Sequence, residues 1–147
     1  MKAARTLIIV AAEQDLRLFR SLGPGEPLTE IDHLAAETLP DVEVELEGRG
    51  RGHAGGGGGS HGYDDRKTEA EQERARFVPY VAETVAAVWR KGDHDRAVLI
   101  AGPKMLGLLR DGLTDDVKAA IVADLPKDLV KLNAHDLADH LKGLANL

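Results

Sequence analysis

The chain has 147 residues, which is enough for one domain to be stabilised by its hydrophobic core without covalent cross-links. It has no cysteine, which excludes disulfide bonds and thiolate metal ligands. Its 43% hydrophobic and 30% charged residues indicate a globular domain and argue against a disordered chain. The formal net charge of -6 at pH 7 argues against a generally basic, nucleic-acid-coating surface, so contact with a polyanion would require a local reversal of charge.

The amino terminus places basic residues before an apolar run, which is the order found in signal peptides. The run from Leu7 to Ala12 is shorter than a typical signal-peptide core and passes directly into Glu13, Gln14 and Asp15. We therefore interpret it as a buried strand followed by a turn. No segment approaches the roughly 20 apolar residues of a membrane span, so we expect a cytoplasmic protein without membrane insertion.

The hydrophobic patterning predicts a single α/β domain over residues 1–147, with a mixed β-sheet flanked by helices. The first three strands are predicted to form an antiparallel meander, and the next two to be a buried strand and a final strand. The predicted strands are 6–12, 16–20, 28–34, 97–101 and 120–125, with a short exposed edge strand at 42–47, where apolar and acidic residues alternate.

The predicted helices follow from capping and stop signals. Thr68 and Glu71 have capping-box spacing, which predicts a long helix from Thr68 to about Lys91 that is kinked at Pro79 and stopped by Gly92. Its apolar face includes Phe77 and Trp89, which we interpret as core residues. Shorter helices are predicted at 105–112, at 114–119 and from an N-cap at 133 to about 144.

A glycine-rich, basic segment from Gly48 to Tyr63 contains no acidic residue. Ordering so many glycines costs about 1–2 kcal/mol per residue in backbone entropy, so we expect a flexible loop over 48–66. Cationic side chains on such a loop favour binding to an anionic partner, above all one with phosphate groups. The alternative interpretation is that the segment is a solvated linker. The candidate binding residues are Arg49, Arg51, His53, Gly55, Gly56, Gly57, Gly58, Gly59, Ser60, His61 and Arg66.

The other chemical patterns do not predict a catalytic or metal site. Residues 58–62 fit G-x-S-x-G, but that motif needs a strand before the serine and a helix directly after it. His94, between two aspartates, is interpreted as a turn residue, and His33 as a hydrogen-bonded sheet residue. The polar group at 135, 136, 139 and 140 is interpreted as a solvated helix face. We therefore predict no cofactor and no bound metal.

Four stretches of the chain resemble the bacterial host attachment protein family. They cover residues 5–19, 28–34, 101–110 and 122–129, and the sequence Gly-Pro-Lys-Met-Leu-Gly-Leu-Leu-Arg at 102–110 is the most specific of them. The similarity extends over nearly the whole chain. The family is named for a proposed role in attachment to host cells, so the resemblance implies an attachment-related function.

The order of features also resembles the middle domain of archaeo-eukaryotic class 1 peptide release factors, to which the host attachment family is similar. That order is a strand meander, a glycine-rich basic loop, a long helix containing 80–85 and a buried strand ending at Gly102. The resemblance implies a ribonuclease H-like fold and contact with the ribosome. In release factors the loop carries Gly-Gly-Gln, which promotes peptidyl-tRNA hydrolysis. Here Gly55 to Gly59 are followed by Ser60 and His61, so the resemblance does not extend to that activity.

Three functional hypotheses follow. The first is a non-catalytic, cytoplasmic protein that binds ribosomal RNA or tRNA through the glycine and arginine loop, in a translation-related role such as ribosome rescue or hibernation. The second is an attachment-related or regulatory protein that acts through a protein partner. The third is a hydrolase that uses Ser60 or His61. The sequence predicts no oligomeric state.

Overall fold

The two uninterrupted apolar runs of the sequence form the central strands of the sheet. They are β1 (Thr6–Ala11) and β4 (Arg96–Ala101), which pair in parallel. The computed structural model describes residues 4–23, 26–39, 62–142 and 144, and for residues 62–68 it describes the backbone only. Every residue of β1 is buried, as is every residue of β4 after Arg96, because both faces of the sheet are covered.

Three further strands complete a mixed sheet of the predicted class. They are β2 (Asp15–Ser21), β3 (Thr29–Ala35) and β5 (Ile121–Leu125). The strand order is β3-β2-β1-β4-β5, in which β1, β2 and β3 form the predicted antiparallel meander and β5 is parallel to β4. The edge strand predicted at 42–47 lies outside the described residues.

In the described part of the chain, one 3-10 turn (Ala36–Thr38) and four helices accompany these strands, and the last helix follows the last strand. The helices are α1 (Gly62–Arg90), α2 (Pro103–Gly112), α3 (Asp115–Ala120) and α4 (Ala134–Leu141). The side chains of β1 alternate between two apolar clusters. Leu7 and Ile9 belong to the cluster that contains residues of α1, α2 and α3, whereas Ile8 and Val10 belong to the cluster that contains α4.

The long helix begins earlier than predicted. Its first residue is Gly62, so Thr68 is an interior residue and not the N-cap, and residues 62–66 of the predicted loop are helical. The sequence has Asp64 and Asp65 close to this start, and acidic residues are favoured in the first turn of a helix. The expected kink at Pro79 does not interrupt the helix. Gly92, with φ of 78°, follows its carboxyl end as predicted.

Capping residues and a proline determine where two of the shorter helices begin. Asn133 is the N-cap of α4 as predicted, and its side-chain oxygen accepts a hydrogen bond of 2.8 Å from the amide of Asp136. That helix ends at Leu141, three residues before the predicted end. Proline is favoured in the first turn of a helix, so α2 begins at Pro103, two residues earlier than predicted.

Candidate functional site at the carboxyl edge of the sheet

One edge of the sheet has the topology of a ligand site. Strands β1, β3, β4 and β5 run in the same direction and end at this edge, which we call the carboxyl edge. From β1 the chain turns to β2, whereas from β4 it continues through α2 and α3 to β5 on the opposite side. The carboxyl ends of β1 and β4 therefore border a topological switch point, where open α/β sheets bind ligands.

A buried ion pair lies beside this switch point. Arg74 of α1 is only 8% exposed, and its Nη1 donates a hydrogen bond of 2.6 Å to Oε2 of Glu13, whose side chain is 49% exposed. A buried guanidinium requires such a partner, because an unpaired buried charge carries a large desolvation penalty. Next to this pair, Gln14 Nε2 donates to Glu73 Oε2 at 3.4 Å. These two contacts attach α1 to the turn that follows β1.

A cleft of about 360 Å³ opens beside the ion pair, next to the start of α2. Its lining contains two cations, Arg74 and Lys104, and two carboxylates, Glu13 and Asp128, so the formal charges balance. The N-cap of α2 is Gly102, which has no side chain with which to cap the free helix amides. The residues around the cleft are Ala12, Glu13, Arg74, Gly102, Pro103, Lys104, Met105 and Asp128.

A second cleft, of about 250 Å³, shares Glu13 with the first and is acidic. Three carboxylates and one guanidinium contribute to its lining, so its local field attracts cations and opposes the entry of phosphate groups. The residues around it are Glu13, Gln14, Ala36, Glu37, Leu39, Glu73, Arg76 and Phe77. Leu39 is also the last described residue before Gly62.

The predicted binding segment is connected to the carboxyl edge through α1. Residues 40–61 lie outside the described part of the chain, so the structure places none of the predicted site residues between Arg49 and His61. Arg66 belongs to α1, but its side chain is also outside what is described. At about 1.5 Å per residue, the helix start at Gly62 lies about 18 Å along the axis from Arg74. None of residues 69–73 is buried, so this part of α1 contributes nothing to the core.

Two features of the structure are missing from the sequence-based prediction. The first is the contact between Glu13 and Arg74, and its only signal in the sequence is an acidic residue directly after a buried strand. The second is the burial of His94, which lies between α1 and β4 as predicted but is only 8% exposed. A turn residue is usually exposed, so our interpretation of His94 was incomplete. His33 lies in β3 as predicted, with Nε2 3.6 Å from Asp15 Oδ1.

The polar face of α4 brings together three of its four candidate metal ligands. One ligand atom from each of His135, Asp136 and Asp139 lies within 4.8 Å of the others, and His140 is not part of the group. All three residues are exposed, and Asp139 Oδ1 is also 3.2 Å from Lys142 Nζ. This is the arrangement of a solvated helix face, where such groups occur commonly without an ion.

Within the described ranges, no helix combines the length and the apolar composition needed to cross a bilayer. No curated protein sequence matches the chain. One protein family, described as "Protein required for attachment to host cells", matches residues 7–141. The match includes the residues of the ion pair and of both clefts. Because it extends over most of the chain, the protein belongs to this host attachment family.

Proposed function

We propose that this host attachment protein is a non-catalytic RNA-binding protein that associates with ribosomes in the cytoplasm through residues 48–61. One observation carries the proposal: the segment rejoins the fold at Gly62, about 18 Å along α1 from the carboxyl edge. The segment contains Arg49 and Arg51 and no acidic residue, so it is a cationic sequence in a chain of net charge -6. Its arginines supply the contacts to phosphate.

Charge on the described part of the protein explains why such a contact would be made away from the sheet. Glu13, Glu37 and Glu73 at the acidic cleft repel phosphate. The Debye length is about 8 Å at physiological ionic strength, so a point about 18 Å distant is largely screened from these carboxylates. A phosphate bound near the start of α1 is therefore not strongly repelled by the acidic cleft.

The resemblance to release factors supports the ribosome as the partner that carries the RNA. The glycines permit close approach of the backbone to a nucleic acid, and the absence of glutamine in the segment leaves binding without peptide release. A role in ribosome rescue or hibernation would need only this binding. The requirement for attachment to host cells in the family description would then be an indirect result of altered translation.

The proposal is tested by sucrose-gradient sedimentation of the full chain with ribosomes. We expect Arg49→Ala/Arg51→Ala to leave the ribosomal fractions. In salt titrations with single-stranded RNA, the same variant should reduce the slope of log K against log salt by about 1.4, because each phosphate contact contributes about 0.7. Arg66→Ala is measured separately, since Arg66 belongs to α1.

The matched control is Arg90→Ala/Lys91→Ala. Both residues are exposed at the opposite end of α1, and their removal changes the net charge by the same amount. We expect this variant to sediment with ribosomes as the wild type does. Equal losses in the two double variants would reduce the effect to overall charge and would contradict a specific contact. Association that survives nuclease treatment and both variants would instead support a protein partner.

A further inference from the structure

His94 lies at the edge of the sheet opposite the clefts, in the turn between α1 and β4, and it is nine-tenths buried. Its Nε2 accepts a hydrogen bond of 3.2 Å from Nε of Arg20, a residue of β2. Its Nδ1 is buried and has no hydrogen-bond partner, the only such side-chain atom found among the described residues. Buried polar atoms nearly always have a hydrogen-bond partner, so the unpaired Nδ1 makes the surroundings of His94 unusual.

The contact with Arg20 fixes the protonation state of the ring. A guanidinium can only donate hydrogen bonds, so Nε2 of His94 must be the unprotonated acceptor, and the imidazole is neutral with its proton on Nδ1. Protonation of Nε2 would place an N–H group against the N–H group of Arg20. The observed contact and the charged imidazolium are therefore incompatible.

The charged groups that face His94 do not compensate for the loss of the hydrogen bond with Arg20 when the ring is protonated. Arg20 and Arg5 oppose a positive charge on the ring, whereas Asp93 and Asp95 favour it. Each aspartate is already engaged, since Arg5 Nη2 is 3.1 Å from Asp95 Oδ1 and Arg20 Nη2 is 3.6 Å from Asp93 Oδ2. Burial, followed by the charge of Arg20, lowers the pKa of His94 below its usual value of 6.5.

The third side of the imidazole faces the last turn of α1. The ring of Trp89 is stacked on it with an interplanar angle of 16°, and the ring centroids are 6.3 Å apart. A cation interacts strongly with an indole face only within about 6 Å, so the stack adds little stability to the charged ring. It does place the only tryptophan of the chain beside the titrating group.

We propose that His94 is a proton-operated switch in the connection between α1 and β4. In the neutral state the imidazole holds Arg20 of β2 and Trp89 of α1 together. Uptake of one proton breaks the contact with Arg20 and opens the connection locally. The central strands keep their pairing, because all of β1 and the whole of β4 after its first residue are buried.

The direct test is a titration of the full-length protein from pH 8 to pH 4.5, followed by tryptophan emission and by NMR of the histidine ring protons. We expect a reversible change in emission, with a midpoint below 6.5 that coincides with the titration of one histidine. Once corrected for the intrinsic rate, the hydrogen-exchange protection of residues 89–96 should fall by up to about tenfold per pH unit as the pH drops from 6.5 to that midpoint, as expected for uptake of one proton, and should level off below it. The amides of β1 should stay protected.

Two variants separate the switch from general acid effects. His94→Gln retains a neutral side chain that can accept from Arg20 but cannot take up a proton, so the change in emission should disappear. His33→Gln, on the exposed surface of β3, should leave it unaltered. A wild-type midpoint at or above 6.5, or protection of residues 89–96 that does not change across the titration, would overturn the proposal. Both are measured on the wild-type protein, so they remain decisive if His94→Gln fails to fold.

Discussion

The guanidinium of Arg74 is buried with a counter-charge that is itself half exposed. Glu13→Gln retains the shape of the side chain and removes the charge, which leaves Arg74 without its ionic partner. We expect the free energy of unfolding to fall by about 1–2 kcal/mol. This is less than the roughly 3–5 kcal/mol for breaking a fully buried pair, because solvent at Glu13 can reach the remaining charge. Urea unfolding followed by the emission of Trp89 measures the change.

The neighbouring contact supplies the control for this prediction. Glu73→Gln also removes one carboxylate, in this case from α1. Glu73 is exposed, and its hydrogen-bond partner among the described residues is Gln14, at 3.4 Å. Surface substitutions of this kind usually change stability by no more than about 0.5 kcal/mol. If the two variants lose equal stability, the ion pair of Arg74 does not have the importance that its burial indicates.

Two glycines of α2 provide opposite predictions for the same substitution. A Cβ on Gly112 would lie 2.5 Å from Cγ1 of Val78, a buried side chain of α1 that is stiff because it is β-branched. We expect Gly112→Ala to lower the free energy of unfolding by about 1–3 kcal/mol. Gly107→Ala meets no atom within 4 Å, so it should raise stability by about 0.5–1 kcal/mol through helix propensity. Thermal unfolding of both variants tests the contact between α1 and α2, and equal stabilities would contradict it.

Elements with strong local signals could be predicted from the sequence, and long-range contacts could not. The two apolar runs predicted β1 and β4 because a strand buried on both faces needs no polar alternation. The predicted start of α1 at Thr68 was wrong, because capping-box spacing also occurs inside helices. The prediction did not take into account the two acidic residues that precede Thr68. The pairing of Glu13 with Arg74 joins residues far apart in the chain, and no periodicity contains that information.

At the scale of the whole molecule, ion pairs tie the ends of the strands together. Before β1 and β4 begin, the backbone amide and the guanidinium of Arg5 both bind the carboxylate of Asp95, at 2.8 Å and 3.1 Å. This contact lowers the pKa of Asp95 from 3.8 to about 2. Across the sheet, Arg17 of β2 binds Glu30 of β3 and lowers the pKa of that carboxyl as well.

These shifts predict how stability depends on acid. A carboxyl whose pKa is lower in the folded state binds fewer protons there than in the unfolded chain, so its contribution is complete above the unfolded value and is lost as the pH falls. For Asp95 the loss extends from about pH 4 down to about pH 2. We expect the melting temperature of the wild type to fall through this range, and that of Asp95→Asn to start lower and fall less. Asp93→Asn, which leaves the contact between Arg5 and Asp95 in place, is the control and should still show the fall that this contact produces.

Salt separates this effect from a general acid transition. Asp95 and Arg5 are both about half exposed, so high salt should screen their pair and reduce the difference between the wild type and Asp95→Asn. Circular dichroism melts from pH 2 to pH 7, at low and at high salt, measure both effects. Parallel curves for the two proteins across the acid range would mean that this pair does not join the amino ends of β1 and β4. If the curves of the two proteins differ above pH 4 and approach each other below it, and if the difference is smaller at high salt, the pair stabilises the parallel centre of the sheet.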